Sequence, residues 1–213
     1  EEFIQGNIFH CDTFFHEGEP VFVGVGKHVG SPLAYVNGQT RCTIVVEPES
    51  DEWHQIKAFN EKVLEALPSL SCATHHELFL SERGELIFLE IAARPPGAEI
   101  IRSYNTAFGI DLPITLLELE IGIKSIPSPR FSRGSGWAYF PRSAGVVGTL
   151  TPPVLRSEMQ IVEWKVAPGD FIERTTCGHE RSGSVCFSDN SFSVVYQDAN
   201  YLLSFDPVTL RAL

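Results

Sequence analysis

The segment 72–99 constrains the fold of this chain more than any other stretch of its sequence. Residues 73–80 and 86–93 are rich in β-forming side chains, and the polar run 81–85 between them contains one glycine. Two such runs around a short glycine-containing turn are typical of an antiparallel β-hairpin. The sequence therefore predicts two paired strands, in which every side chain belongs to one of two faces.

The position of the turn sets which residues of the two predicted strands lie opposite each other. A turn centred on the bond 83–84 places Glu77 opposite Glu90 and Phe79 opposite Phe88. Successive side chains of a strand point to opposite faces. One face is thus predicted to contain Glu77, Phe79, Phe88, Glu90, Ala92 and Arg94, and the core-packing face Leu78, Leu80, Ile87, Leu89 and Ile91.

Two carboxylates that face each other across a hairpin repel one another. At about 4 Å and an effective dielectric constant near 20, the repulsion is about 4 kcal/mol. A divalent cation such as Mg²⁺ between Glu77 and Glu90 removes this conflict, and Arg94 on the same face can neutralise an anion that the metal holds. The alternative is a solvated face on which the two side chains bend apart. His75 shares this face and is interpreted as a structural partner rather than a ligand.

Composition limits the classes of protein to consider. Apolar residues make up 43% and charged residues 20% of the 213 residues, as in an ordinary soluble globular protein with a core. The formal net charge of −11 argues against a general nucleic-acid or anionic-membrane surface. The five cysteines form no CxxC pair, which predicts reduced thiols in a cytoplasmic protein. The sequence shows neither a signal peptide nor an apolar run of about twenty residues.

The rest of the chain alternates between strand and helix patterns, which predicts an α+β fold class. Before the hairpin, strands are predicted at 7–15, 20–27 and 39–46 and a helix at 51–67. After it, helices are predicted at 98–108, 111–122 and 198–205, and strands at 136–140, 148–151, 159–166, 171–176 and 184–188. The run 125–136, rich in Pro, Ser, Arg and Gly, is interpreted as a linker.

The hairpin resembles the metal-binding hairpin of the ATP-grasp superfamily. In that family an acidic residue is followed further along by Glu-x-Asn-x-Arg and a loop rich in proline and glycine. Here Glu77 is followed by Glu90-Ile91-Ala92-Ala93-Arg94 and then by Pro95-Pro96-Gly97. One position departs from the family pattern, because Ala92 stands where the family has its asparagine ligand.

The resemblance implies a role for each matching residue of the hairpin. Glu77 and Glu90 occupy the positions of the two Mg²⁺ ligands. Arg94 occupies the position of the arginine that stabilises the acyl-phosphate and the tetrahedral intermediate. Phe79 falls where an apolar side chain packs on adenine.

The opening run Glu1-Glu2-Phe3-Ile4-Gln5-Gly6 is similar to the ATP-grasp hinge whose backbone reads adenine. By this resemblance, the residues assigned to nucleotide binding are Glu1, Glu2, Phe3 and Ile4. The family often has a ribose-binding acid two residues after the glycine, where this chain has Ile8. Without the family, Glu1 and Glu2 are simply the solvated start of a strand.

Runs nearer the C-terminus resemble the closing helix and the C-terminal lobe of carboxylase-type and dipeptide-ligase-type ATP-grasp enzymes. The implied organisation is an ATP-grasp C-terminal subdomain at 1–124, an antiparallel sheet with helices, then the linker 125–136 and a small β-rich lobe at 137–213. The family's N-terminal lobes and glycine-rich phosphate loop have no counterpart in these residues. Because the first residue is Glu1, we interpret the chain as a fragment or processed product.

The function that the resemblance implies is a carboxylate–amine, or carboxylate–thiol, ligase with ATP and Mg²⁺ (or Mn²⁺) as cofactors. Its expected partners are small-molecule carboxylate and amine substrates, the missing N-terminal lobes and a second copy in a homodimer. Nucleic acid and membranes are not expected partners. The residues 1–213 alone are expected to have little or no ligase activity, because one wall of the nucleotide cleft is absent.

Two other interpretations remain open at this stage. Ala92 and Ile8 favour a degenerate ATP-grasp remnant that acts as a binding or structural module. A plain α+β interaction domain with an acidic pair on its surface is the third interpretation. The intact set of Glu77, Glu90 and Arg94 favours the enzyme.

Overall fold

The computed structural model describes residues 2–68, 72–122 and 129–211. The chain forms two compact units: unit 1 contains the described parts of 1–27 and 45–134, and unit 2 those of 28–44 and 135–213. The domain division drawn from the sequence stays a prediction, and it differs from these units because residues 28–44 group with the C-terminal part of the chain.

Strands and helices alternate along the chain, so the α+β fold class is confirmed. The strands are β1 (Gly6–His16), β2 (Glu19–Val29), β3 (Arg41–Val45), β4 (Ala73–Ser81), β5 (Leu86–Ala92), β6 (Gly134–Phe140), β7 (Gly145–Leu150), β8 (Met159–Trp164), β9 (Phe171–Ile172), β10 (Gly183–Asp189) and β11 (Val208–Leu210). The helices are α1 (Asp51–Glu65), α2 (Ile100–Phe108), α3 (Leu112–Glu120) and α4 (Phe192–Leu203), with a 3₁₀ helix at Pro32–Asn37. None of the helices in the described residues is long and apolar enough to cross a membrane.

Unit 1 is built on four neighbouring antiparallel strands in the order β5-β4-β1-β2. One face of this sheet carries an apolar core under α1, formed by the buried residues Phe9, Cys11, Val25, Val46, Ile56 and Leu78. Because side chains alternate along a strand, the residues between these core positions point to the opposite face. That second face contains the polar and charged side chains considered below.

Helix α1 forms where its apolar spacing predicts it. Its first residue is Asp51, as predicted, and the Ser50 hydroxyl caps it by accepting a hydrogen bond from the Trp53 amide at 3.2 Å. Ile56 is fully buried in the core of unit 1, and Trp53 and Phe59 pack against that core. The helix thus supports the sheet from the face opposite the polar one.

Unit 2 contains the strand order β3-β6-β10-β8 and a separate three-stranded sheet, β11-β7-β9. Helix α4 covers one face of the larger group, with a core formed by Val29, Cys42, Ile44, Ala138, Phe140, Val185, Phe187, Val195, Ala199 and Leu202. A smaller core of Val147, Val166 and Ile172 lies under the three-stranded sheet.

The start of the last helix was predicted wrongly. The sequence suggested 198–205, whereas α4 begins at Phe192 and ends at Leu203. Asp198, the predicted first residue, is buried inside the helix, where it accepts hydrogen bonds from the amides of Arg156 and Ser157 at 2.8–3.1 Å. An aspartate that holds a distant loop was therefore mistaken for an N-terminal residue.

Three short elements of unit 2 also differ from the prediction. The strand expected at 171–176 is limited to Phe171–Ile172. The strand β11, which pairs with β7, and the 3₁₀ helix Pro32–Asn37 were not predicted. Each of these elements has fewer than seven residues, which is too short for a periodic pattern to stand out.

A β-bulge changes the register of the central hairpin. Glu77 pairs with Glu90 as predicted, but the register shifts after Glu77 and Leu78 then pairs with Phe88. The predicted pairing of Phe79 with Phe88 is therefore wrong. Phe88 lies on the α1 side of the sheet, where its ring is 5.4 Å from that of His76. A bulge inserts one extra residue into one strand, so every position beyond it changes face.

Two glycines of β2 make room for the polar face of unit 1. Gly24 pairs with Asp12 and Gly26 with His10 on β1. A Cβ atom on Gly26 would lie 2.1 Å from Nε2 of His10, and one on Gly24 would lie 2.5 Å from Cζ of Tyr104. Any side chain at these two positions would overlap the buried rings.

We expect the substitution Gly26→Ala to lower the free energy of unfolding by about 1–3 kcal/mol, because it overpacks a filled site. The matched control is Gly97→Ala, since a Cβ atom there meets nothing within 4 Å. Urea denaturation of the two variants checks this. A strand-interior glycine otherwise weakens a strand, so an unchanged or increased stability for Gly26→Ala would contradict the packing argument.

Candidate functional site

The two carboxylates that the sequence placed opposite each other are register partners in the structure. Glu77 on β4 pairs with Glu90 on β5, so both side chains leave the sheet on the same face. The Glu77 side chain is 23% exposed, and Glu90 is exposed. Ala92, which stands at the family's asparagine position, pairs with His75.

Glu77 is connected to a buried histidine on its own strand. His75 Nε2 lies 3.2 Å from Oε1 of Glu77, and Nδ1 of the same ring lies 2.6 Å from Oδ1 of Asp12. In its protonated form His75 donates a hydrogen bond at each of these contacts. The ring thus bridges a fully buried carboxylate and a partly exposed one, which restricts the position of Glu77.

Asp12 is the centre of this network. It lies on β1 opposite His75, has no exposed surface, and its Oδ2 accepts a hydrogen bond from the Tyr104 hydroxyl at 2.6 Å. His10 Nδ1 lies 2.7 Å from the same oxygen. Side chains from two strands and from α2 therefore converge on one carboxylate.

The electrostatics of the network favour an ion pair between Asp12 and His75. Burial raises the pKa of Asp12, but the charge and hydrogen bond of His10 and the contacts of His75 outweigh it and lower this pKa to about 2. Burial lowers the pKa of His75, but its hydrogen bonds to Asp12 and Glu77 outweigh burial and raise it to about 9. Burial, with the charge of Asp12, raises the pKa of the Tyr104 hydroxyl, which remains a donor.

His10, Asp12 and His75 lie close enough together to be considered as a metal site. The distances between their donor atoms do not fit a shared ion. The Asp12 oxygens lie 2.6 Å and 2.7 Å from the two ring nitrogens, whereas two ligands of one tetrahedral zinc ion are about 3.3 Å apart. These distances are those of charge-assisted hydrogen bonds.

The neighbouring His76 has a structural role on the opposite face. Its ring lies between those of Phe59 and Phe88, and its Nδ1 is 2.9 Å from Oδ1 of Asn60. Burial and the positive charge of His75 lower the pKa of His76 to about 4. Strand alternation therefore gives two adjacent histidines different environments, as predicted.

The remaining residues assigned from the sequence are more exposed than the residues around Asp12. Arg94 follows β5, and its guanidinium donates a hydrogen bond to the Pro95 carbonyl at 2.9 Å. Phe79 is partly buried and pairs with Ile8 and Ile87. Phe3 is 78% exposed. Glu1 lies outside the described residues.

Residues 2–4 do not form the strand start that the sequence suggested. Glu2, Phe3 and Ile4 have no regular secondary structure, and β1 begins at Gly6. Glu2 and Phe3 are exposed and Ile4 is partly buried. Their backbone N–H and C=O groups therefore do not pair with a strand of the sheet. A segment that binds a base through its backbone requires such groups.

Sequence reasoning missed Asp12, His10 and Tyr104. A signal was present in β1 and β2, where His10 and Asp12 alternate with apolar residues and face the strand glycines Gly24 and Gly26. Glycine inside a strand often marks a close approach of other groups. The contribution of Tyr104 comes from a helix distant in sequence, and no local pattern predicts it.

A cavity of about 910 Å³ lies elsewhere in unit 1. Its lining includes Phe15, Phe22, Trp53, Leu64 and Phe108, which are mostly apolar side chains beside α1. Neither carboxylate of the hairpin and none of the residues hydrogen-bonded to Asp12 lines it. The candidate site described here therefore lies outside this cavity.

Comparison with known proteins finds a family model and a curated relative that match part of the chain. Residues 1–102 match the family model described as an ATP-grasp domain. The L-arginine-specific L-amino acid ligase of Bacillus subtilis is 28% identical over 121 residues, which are 57% of this chain and 29% of that protein.

Solved structures show the same fold over the whole chain. The L-amino acid ligase of Bacillus licheniformis is 18% identical with a TM-score of 0.71, over 99% of this chain and 55% of that one. Phosphoribosylglycinamide synthetase from Anaerococcus prevotii is 13% identical with a TM-score of 0.73, over 99% and 55% of the two chains. The chain thus spans about half the length of these solved relatives.

The fold and the site define an α+β protein in which two acidic residues face each other on one hairpin. The match of residues 1–102 to an ATP-grasp domain confirms the resemblance noted in the hairpin sequence.

The ion pair between Asp12 and His75 predicts a pH-dependent stability. The pKa of His75 is raised from 6.5 to about 9 in the folded chain, so its contribution is complete below pH 6.5 and is lost as the pH rises through 9. The free energy of unfolding should fall by about 3 kcal/mol at most over this range. Urea denaturation at several pH values between 6 and about 9.5 measures this fall in the free energy of unfolding. The variant His75→Gln should lack this slope, and parallel curves for the two proteins would contradict the assignment.

Proposed function

We propose that this chain is the C-terminal part of an ATP-dependent carboxylate–amine, or carboxylate–thiol, ligase that works through an acyl-phosphate. The observation that carries the proposal is the pairing of Glu77 with Glu90 on one face of the hairpin. A second observation supports it, because His75 and the buried Asp12 fix the position of Glu77. Paired carboxylates held in this way are a costly arrangement unless they bind a cation.

The donor set fits magnesium. Mg²⁺ prefers carboxylate oxygens and retains several waters, and Glu77 and Glu90 supply such oxygens at a surface that water can reach. Ala92 supplies no ligand, so the site offers two protein carboxylates and leaves the other positions to water or phosphate. Mn²⁺ accepts the same ligands. When bound, Mg·ATP supplies the phosphoryl group that activates the substrate carboxylate.

Other residues of the chain would bind adenine and stabilise the charge on the acyl group. Glu2, Phe3 and Ile4, with Glu1, would hold adenine through the backbone, and Phe79 would pack on the base. Arg94 is exposed and linked to a neighbouring carbonyl, so its guanidinium is available to an anion on the same face. There it would stabilise the negative charge that develops on the acyl oxygen.

The L-amino acid ligases among the relatives support small-molecule substrates, a carboxylate and an amine. We propose a cytoplasmic enzyme with the domain division 1–124, 125–136 and 137–213, in which further lobes and a second copy complete the assembly. The 213 residues alone should form little or no amide product, because the family's phosphate-binding lobe is not among them.

A degenerate ATP-grasp remnant without catalytic activity is the second candidate function. The specific observation in its favour is the pair of departures at Ala92 and Ile8, which lie on the site face beside Glu77 and Phe79. Such a module would retain a fold and a binding surface without completing the metal coordination.

Calorimetric titration of the longer parent protein with Mg·ATP tests the proposal. The substitutions Glu77→Gln and Glu90→Gln should each weaken metal-dependent binding about tenfold or more, since loss even of a second-shell partner has effects of that size. Glu85→Gln is the matched control, because Glu85 is an exposed glutamate in the turn of the same hairpin.

The titration also separates the alternatives. Equal Mg·ATP binding in the wild type and all three variants would reject the metal site. ATP binding that depends neither on the metal ion nor on the two glutamates would favour the remnant. If Glu90→Gln raises the stability of the fold and changes no ligand binding, the acidic pair is only a solvated face.

A further inference from the structure

One face of the paired strands β3 and β6 in unit 2 carries arginine and aromatic side chains. Arg41 pairs with Tyr139 and Thr43 with Trp137, so these four side chains lie on the same face. The alternate positions, including Cys42 and Ala138, point into the apolar core under α4. The polar face is therefore distinct from that core.

Two guanidinium groups stack on the aromatic rings of this face. The Arg41 guanidinium carbon is 5.5 Å from the centre of the Trp137 ring, and that of Arg181 is 4.1 Å from the centre of the Tyr139 ring. The two rings lie 4.7 Å apart. Stacking on an aromatic ring orients a guanidinium and leaves its N–H groups at the edge to bind a ligand.

The backbone approaches these groups closely from the segment 176–182. A Cβ atom on Gly178 would lie 3.3 Å from Nη1 of Arg41, so a larger residue would crowd the guanidinium. The Tyr35 hydroxyl donates a hydrogen bond to the Glu180 carbonyl at 2.5 Å, which holds the segment in place. Arg142 donates from Nε to the Arg181 carbonyl at 3.0 Å.

Three arginines of this region take part in no ion pair between described residues. Among the ion pairs between described residues, none includes Arg41, Arg142 or Arg174. Glu180 lies in the same segment, but its carboxylate accepts hydrogen bonds from the amide and hydroxyl of Thr176 at 2.8 Å and 3.1 Å. This concentration of cations occurs in a chain whose net charge is −11.

Buried donors without an acceptor point to a ligand. Arg41 is partly buried, and within the described residues no group accepts a hydrogen bond from its buried Nε atom. The same holds for the indole N–H of Trp137, a side chain with no exposed surface. Buried donors are nearly always paired in folded proteins. A bound ligand that accepts hydrogen bonds from Nε of Arg41 and from the indole N–H of Trp137 would satisfy both donors.

We propose that Arg41 and Arg181, stacked on Trp137 and Tyr139, bind a small oxyanion, a carboxylate or phosphate group. Planar guanidinium groups match the oxygens of these anions and form charge-assisted hydrogen bonds with them. The positive charges of Arg181, Arg41 and Arg142 also act on Tyr35: burial raises the pKa of that hydroxyl, and the three guanidinium groups oppose the rise. Anion binding by these arginines can be tested without ATP or a metal ion.

Binding of inorganic phosphate and of acetate to the full chain, at constant ionic strength, tests this proposal. Ligand-observed NMR, with ³¹P for phosphate and ¹H for acetate, gives the two dissociation constants. The substitutions Arg41→Gln and Arg181→Gln should each raise the dissociation constant of the preferred anion about tenfold or more. A preference for phosphate would indicate a phosphorylated ligand, and a preference for acetate a carboxylate substrate.

The control is Arg211→Gln, which removes the same charge from an exposed position after β11 and should leave binding unchanged. Arg41→Lys keeps the charge without the planar fork, so it should weaken binding while the fold is preserved. Circular dichroism and urea denaturation confirm that each variant is folded. Binding that does not saturate, or that all the variants and the control reduce equally, would overturn the proposal and leave the arginines as packing groups.

Discussion

The buried carboxylate of Asp12 is the interaction on which the candidate site of unit 1 depends. It has no exposed surface, yet Tyr104, His10 and His75 surround its two oxygens at 2.6–2.7 Å. Removing a carboxylate from water costs several kcal/mol unless such partners replace the lost hydration. The three partners come from β1, β4 and α2, so the charge of Asp12 holds these elements in one arrangement and positions Glu77 through His75.

The sheet of unit 1 can accommodate this network because its two faces differ in chemistry. Phe9, Cys11, Val25 and Leu78 pack under α1, whereas the alternate residues of the same strands carry the polar groups. Gly24 and Gly26 leave the space that the rings of Tyr104 and His10 occupy. Packing on one face therefore provides the stability that allows charged groups to be buried on the other.

Unit 2 shows a related arrangement in which aromatic rings take the place of acids. Its core under α4 uses one face of β3 and β6, and Trp137 and Tyr139 on the other face orient Arg41 and Arg181. Cation–π contacts position a guanidinium without neutralising its charge. In unit 1 the buried charges are paired with each other, whereas in unit 2 the arginines stack on neutral rings.

The order of residues alone predicts the α+β class, the central hairpin, the helix starting at Asp51, and the pairing of Glu77 with Glu90, because local periodicity and one turn fix these features. It could not predict the bulge that moves Phe88 to the other face, or α4 beginning at Phe192, because a bulge and a buried aspartate leave no distinct local pattern. Only the tertiary structure decided that Asp12, His75 and Tyr104 meet. Their contacts span 63 and 92 positions of the chain, and such pairings follow from how the strands and helices pack.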